Sequence, residues 1–421
     1  MSNEFSKEER VAFENMLTAF RDGLVLSNAV NIYTGLSSTE MERSRDTVWR
    51  PQRYIMQSFD GQDQTSNFQD STQLTVPTTL GFSKSVPWKM NALEKRDELQ
   101  AGRLGIAASE KLASDVNVSV MNVAADQGTL VVKRTVAASG YDDVAECDAI
   151  MNEQGIPLSN RCLALGSRDY NGMAGDLAKR GTMAGKPTRA YQESYVGRVA
   201  SFETLKLDYA NRIAAAAGSS LTVDTQTSAT NYYTPEATST SSTGEVSNVD
   251  NRRQILTISS TTGVKKGDCF TIAGVEAVHH ITKKTTGNLK TFRVLSVPSG
   301  TTLEISPPLI SNQGNTDAEA QYQNVEVTAS ATASIVFMNT VAAPINPFFH
   351  KDAIDITPGR YAVDADAGAA IMRGKVGPGI ELTLQKQYDI NTMITKYRAD
   401  IIWGVTMNQP EMAGLMIFNQ T

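Results

Sequence analysis

Three short stretches of this sequence hold residue types that could do chemistry. Gly185-Lys186-Pro187-Thr188 has the glycine and lysine that close a phosphate-binding loop, in which backbone N–H groups and an ammonium cradle phosphate oxygens. Proline sits where such a loop needs its hydroxyl, and the upstream glycine spacing is wrong, so the stretch is rejected as a nucleotide site. His279-His280 offers two imidazoles, but neighbouring side chains on a strand point to opposite faces and cannot share one metal. The pair reads as a surface strand pair. With His350 the chain has only three histidines, too few for a histidine-based centre. Asp142, Asp143 and Glu146 form a charge run that reads as the solvated face of a helix. No G-x-S-x-G elbow occurs among the many serines. A cysteine–histidine couple would need a pairing in space that the sequence does not show. No catalytic, metal-binding or cofactor-binding residue is assigned.

Composition points the same way. The 421 residues suffice for about two to three domains, and 41% hydrophobic content supports real cores. The formal charge is -6, from 45 acidic and 39 basic residues, so there is no overall basic field to gather nucleic acid. Cys147, Cys162 and Cys269 are too few and too scattered for a disulfide framework and read as buried thiols in a reducing cytosol. No apolar run approaches the roughly 20 residues of a membrane helix. The start, MSNEFSKEER, has acids where a secretion signal would be basic and then apolar. A soluble cytoplasmic chain is expected.

With no reactive centre to position, the elements themselves become the subject. Asn91 and Glu94 form a capping box, and Leu104, Ala108, Leu112, Val116 and Val120 then recur every four residues between Glu110, Lys111 and Asp115. A helix is predicted over 91–126, with Gly128 as a left-handed cap. Its apolar steps keep no heptad, so it reads as a spine, not a coiled coil. Ser6 and Glu9 make a second capping box before Phe13, Met16, Leu17, Phe20 and Leu24, predicting an amphipathic helix over 6–22. Its apolar face suits either its own domain or a neighbour, and Glu8, Glu9, Glu14 and Asp22 suit a basic partner.

Residues 45–90 differ in kind. Trp49, Tyr54, Phe59, Phe68 and Trp88 are spread along an extended segment broken at Asp60-Gly61, a turn signal. The expectation is a long two-stranded β arm whose aromatic face is covered by another subunit, since such a ribbon is marginal alone. Residues 141–220 alternate helical and extended pieces. From about 221 to 340 short Thr-, Ser- and Val-rich strands alternate with glycine turns, predicting a small antiparallel barrel or sandwich. Its seams fall at Ser219-Ser220 and Ala342-Ala343, and 237–248 is a projecting, mobile loop. Residues 341–421 return to mixed character and rejoin the spine.

Several stretches resemble the major capsid proteins of tailed bacteriophages, with the Hong Kong 97-like fold, and above all the coat proteins of short-tailed Salmonella-type phages with an inserted β-barrel. They are DTVWRPQ at 46–52, KLASDVNVSVMNVAADQGTLVV at 111–132, GIPLSNRCLAL at 155–165, TTGVKKGDCFTIAGV at 261–275 and YRADIIWGVTMNQPEMAG at 397–414. The resemblance implies an α+β capsid fold: N-terminal arm (1–44), long β-hairpin arm (45–90), spine-helix peripheral domain (91–140), first part of a central axial domain (141–220), inserted antiparallel barrel (221–340) and a return to the axial and peripheral domains (341–421). It implies a coat that assembles with scaffolding protein into an icosahedral shell of hexamers and pentamers. DNA then enters through a portal and is contacted non-specifically. On that mapping Trp49, Tyr54, Phe59, Phe68 and Trp88 lie at a subunit interface, Glu245 and Asp250 make contacts between capsomers, and Glu14 meets the scaffold.

Two other classes stay open on sequence alone. A cytosolic α/β enzyme with a β accessory domain predicts a monomer or small oligomer with a deep pocket. A β-rich binding module on a helical stalk predicts ligand binding by the isolated barrel.

Overall fold

The computed structural model describes residues 5–33, 47–53, 55–65, 67–96, 98–179, 186–224, 233–362, 369–377 and 379–421. The chain divides into two units, one of residues 1–48, 78–121 and 354–406, the other of 49–77, 122–353 and 407–421.

The first unit is built on a six-stranded sheet. Asn31–Ile32, Ile354–Pro358, Ile394–Met407, Glu381–Asp389 and Ala370–Lys375 follow one another in that order, and Phe82–Asn91 also pairs with Ile394–Met407. The last pairing is antiparallel over ten residues, from Phe82 opposite Trp403 to Asn91 opposite Ile394. This corrects the expected arm: residues 82–91 are not the returning limb of a free hairpin but a strand of this sheet. The sequence at 82–91 alternates as a hairpin limb would, and the choice of partner rests with residues more than 300 positions away.

Helices cover the sheet. The N-terminal helix Lys7–Gly23 starts at the expected capping box, with Ser6 Oγ accepting from Glu9 N and Glu9 Oε2 accepting from Ser6 N at 2.9 Å. Phe13, Met16 and Phe20 are buried in this unit, so the helix packs on its own chain. The second capping box also forms, Glu94 N donating to Asn91 Oδ1 at 2.8 Å and Asn91 N to Glu94 Oε2 at 3.0 Å. It opens a short 3-10 turn, Glu94–Arg96; the spine helix itself runs from Glu98 to Gln127. Ala108, Leu112, Val116 and Val120 are buried on it as the four-residue spacing requires. Ser119 Oγ accepts from the fully buried Trp403 Nε1 at 2.9 Å, tying spine to long strand.

The spine's last residues, from Asn122, belong to the second unit. Gly128 has no left-handed backbone there, which corrects the predicted cap. Its N–H completes the helix by donating to Ala124 O at 3.1 Å, and a Cβ would stand 2.9 Å from that oxygen and 3.1 Å from Gly414 N. The glycine is required by close approach, not by φ.

The second unit holds a six-stranded sheet ordered Leu130–Lys133, Ala413–Ile417, Asn346–His350, Arg161–Gly166, Phe202–Leu207, Arg198–Val199. Helices Tyr141–Glu153, Ser167–Lys179 and Lys186–Glu193 accompany it. A five-stranded antiparallel sheet follows in the order Gln254–Thr257, Thr302–Ser306, Thr285–Ser296, Cys269–Val278, Ile335–Phe337. It curls as a half-barrel around its own core of Leu256, Ile258, Phe270, Phe292, Val294, Leu303 and Ile305. Isolated bridges Thr222–Ser334 and Val223–Ile258 draw the start of the segment onto it. The chain enters and leaves side by side: Arg212–Ile213 pairs with Ala343–Pro344.

Candidate functional site

The residues singled out for chemistry are placed plainly. Gly185 lies outside the described residues, and Lys186 opens a helix. His279 and His280 sit in a turn after the strand Cys269–Val278, not on a surface strand. His279 Nδ1 accepts from Ile281 N and Thr282 N, both at 3.2 Å. Burial drives His280 down to about 4, against the pull of Glu411, so it is neutral at neutral pH. The three cysteines are free and buried, and burial pushes the Cys162 thiol up to about 12. Among the described residues no group of three or more His, Cys, Asp or Glu side chains could hold a metal. Among the described residues no helix is long and apolar enough to cross a membrane.

Asp143 corrects the solvated-face reading. It is fully buried and accepts from Arg134 Nε and Ser139 N, each at 2.7 Å, while Glu146 also meets Arg134.

In the arm, strands Thr47–Pro51 and Thr75–Thr79 pair, and no strand occurs among the described residues between them. The ladder extends one step inward, Gln52 N donating to Leu74 O at 2.8 Å. Beyond that the returning limb leans on the short helix Asp317–Tyr322 of its own chain. Asp70 N donates to Asp317 Oδ2 at 2.8 Å, and Gln321 Nε2 donates to Asp70 O at 2.9 Å. Tyr322 Oη accepts from Leu74 N and donates to Thr72 O, both at 3.2 Å. Leu74 itself is buried against Ile310 and Tyr322. So part of the surface expected to be covered by a neighbour is covered within the subunit, because a polar limb can be held by side-chain amides and a phenol without a strand partner.

The aromatic residues then separate. Trp49 is half-buried, and Tyr54 lies outside the described residues. Trp88 stacks on Tyr397 in the first unit, ring centroids 5.5 Å apart, so it is a packing residue of the sheet. Phe59 is 42% exposed and Phe68 88% exposed, and with Met56 at 55% they are the large apolar side chains left uncovered among the described residues of this arm.

The projecting loop is a small hairpin, Thr238–Thr240 with Val246–Asn248, every residue of it exposed. Glu245 is exposed on it. Asp250 is not available in the same way: Arg252 Nη2 approaches it at 2.7 Å and Arg253 Nε at 3.7 Å. Burial alone would raise this carboxyl, but the Arg252 contacts outweigh it and hold it below its ordinary value. Asp250 is thus ion-paired within its own subunit. Glu14 is exposed on the N-terminal helix.

Sequence reasoning missed a polar seam between the barrel and the rest of the second unit. Along Thr285–Ser296, Asn288 Nδ2 donates to Glu153 Oε2 at 2.9 Å, Thr291 Oγ1 to Thr129 O at 2.6 Å and Arg293 Nη2 to Ala125 O at 2.7 Å. Lys290, 1% exposed, meets Glu411. Burial would raise Glu411, yet Lys290, His280 and Lys283 together hold it below its ordinary value. The one available signal was a strand carrying Lys290 and Arg293 amid apolar neighbours, which an exposed edge would also show.

Comparison with known proteins agrees with a subunit whose prominent features are surfaces. A profile of the family described as P22 coat protein, gene protein 5, matches residues 1–419. Among solved structures the chain is similar to one from Mycobacterium phage Che8, 10% identical with a TM-score of 0.44, over 93% of this chain and 90% of that one. It is similar to the capsid of cyanophage P-SCSP1u, 10% identical with a TM-score of 0.43, over 94% and 88%. The CUS-3 coat protein I-domain is 38% identical over 28% of this chain and 95% of that one, with a TM-score of 0.22. The chain belongs to the P22 coat protein family and is a phage major capsid protein, not an enzyme.

Proposed function

We propose that copies of this chain assemble with a scaffolding protein into hexamers and pentamers of a closed shell, which then takes in double-stranded DNA through a portal. The observation that supports self-assembly through the arm is Phe68, an aromatic side chain 88% exposed on a segment otherwise held down by its own chain. An apolar ring in that position gains free energy only when a second surface covers it. Phe59 and Trp49 accompany it at the interface, with Tyr54 proposed from sequence. Glu245 is the proposed charge contact between capsomers, and Glu14 the proposed contact to a basic surface of the scaffold. The barrel's closed core supports its role as a stabilising domain, and expressed alone it should unfold cooperatively.

The test is expression with and without candidate scaffolding protein, followed by sedimentation and negative-stain microscopy. Uniform closed shells are expected when scaffold is present. A stable small species under every condition would overturn the reading.

A further inference from the structure

Three strands of the first unit's sheet end together. Glu381–Asp389 turns into Ile394–Met407 through Ile390-Asn391-Thr392-Met393, with Asp389 opposite Ile394, and Ile394 is also opposite Asn91, the last residue of Phe82–Asn91. Beyond Asn91 the chain passes Ala92 and Leu93 before the turn Glu94–Arg96. The two crossings share one end of the sheet, and their large apolar side chains are left bare. Ile390 is 78% exposed, Leu93 75% and Met393 57%, with Tyr388 beside them at 42%.

The turn is braced. Asp389 Oδ1 accepts from Asn391 N at 3.0 Å, and the Thr392 hydroxyl first, then Asn391 N, hold its carboxyl below its ordinary value. Met393 has the left-handed backbone, φ 52°, which glycine or asparagine adopts at less cost. A methionine there is the poorer turn residue and the better contact, since its flexible thioether chain fills irregular gaps. Local folding does not account for a bare isoleucine and a strained methionine on one turn; a surface that covers them does.

Charge decides which surface. Residues 390–393, Ala92 and Leu93 carry none. The charges flanking them are met within the subunit: Lys396 Nζ faces Asp389 Oδ2 at 3.8 Å, and Lys95 Nζ faces Glu9 Oε1 at 3.6 Å, while Glu9 Oε2 accepts from Lys386 Nζ at 2.8 Å. Lys89, exposed and opposite Lys396, is two rows back from the turn. The arm tip is different, with Asp60, Asp63 and Asp70 and no lysine or arginine between Tyr54 and Ser83. A closed shell has rotation axes, and at an axis a patch meets its own copy, so it must tolerate its own charge. The single-signed arm tip is repelled by itself; the uncharged apolar turn is not. We propose that the turn 390–393, with Leu93, is a homotypic contact, in which the turn of one copy packs on the same turn of another about an exact or local symmetry axis of the shell. This rests on the assembly proposed above and assigns one of its contacts to a surface.

Two variants test it. Ile390→Ser with Met393→Gly is expected to leave the denaturation midpoint of the soluble subunit unchanged or raised, since glycine relieves the left-handed backbone. The same variant should lower the yield of closed shells by about tenfold or more, the scale of one large apolar side chain left uncovered. Ile390→Cys puts a thiol on the turn of a subunit whose own three cysteines are buried. A flexible bismaleimide is expected to link these subunits into dimers within shells and to leave soluble subunits monomeric. Each copy offers a thiol only at the turn, so a dimer requires turn to meet turn. Wild-type shell yield from the double variant, or shells of Ile390→Cys that give no dimers, overturns the contact while the shell itself stands. Absence of shells from the wild type overturns both.

Discussion

Residues 52–74 and 82–91 look alike in sequence, extended and dotted with aromatic side chains, yet they meet opposite ends. The stretch Phe82–Asn91 is knitted into a sheet over ten registered residues, and its Phe82 and Trp88 stack on Trp403 and Tyr397. The stretch 52–74 has no strand partner among the described residues and is held at its returning limb by Tyr322, Gln321 and Asp317. An extended aromatic segment becomes core only where a long complementary strand receives it. Where none does, polar side chains fix the backbone and leave the rings to another surface.

Substitutions can break this contrast from either side. Trp403→Ala should have the largest effect, about 3–5 kcal/mol lost from a fully buried indole, seen as a lower denaturation midpoint of the soluble subunit or as its failure to fold. Trp88→Ala, half-buried and stacked, should cost about 2 kcal/mol in the same measurement. If Trp88→Ala subunits were as stable as wild type but failed to assemble, the strand would belong to the interface after all. Tyr322→Phe should cost about 1–2 kcal/mol locally by stranding Leu74 N and Thr72 O. It would appear as faster proteolysis within 52–74 with the global midpoint little changed. Phe68→Ala should alter subunit stability by less than about 0.5 kcal/mol while lowering shell yield; unchanged yield would remove the arm from the interface.

What the sequence made legible was local or periodic. The Ser6–Glu9 and Asn91–Glu94 boxes formed because a capping box involves only four consecutive residues. The spine's buried stripe followed from a spacing of four, and the half-barrel from short strands between glycine turns. What was not legible depended on distant partners. Nothing within 82–91 names Ile394–Trp403 as its neighbour. Nothing beside Asp250 told whether Arg252 would bend back to it or face outward. Glu9 read as part of a wet face because Lys386 is 377 residues away. The residues proposed for assembly rest on family resemblance, and periodicity had no means of separating exposed Phe68 from stacked Trp88.

The long strand Ile394–Met407 carries one more consequence. Over Ile394–Asp400 it is laddered on both flanks, to Phe82–Asn91 on one side and to Glu381–Asp389 on the other. Ladder bonds lie perpendicular to an antiparallel strand. Tension along its axis therefore loads both rows at once and must shear them together, whereas a ribbon pulled open at its end parts one pair at a time. In a shell wall this makes the strand a stiff member, with compliance left to segments such as 52–74 that no second strand braces.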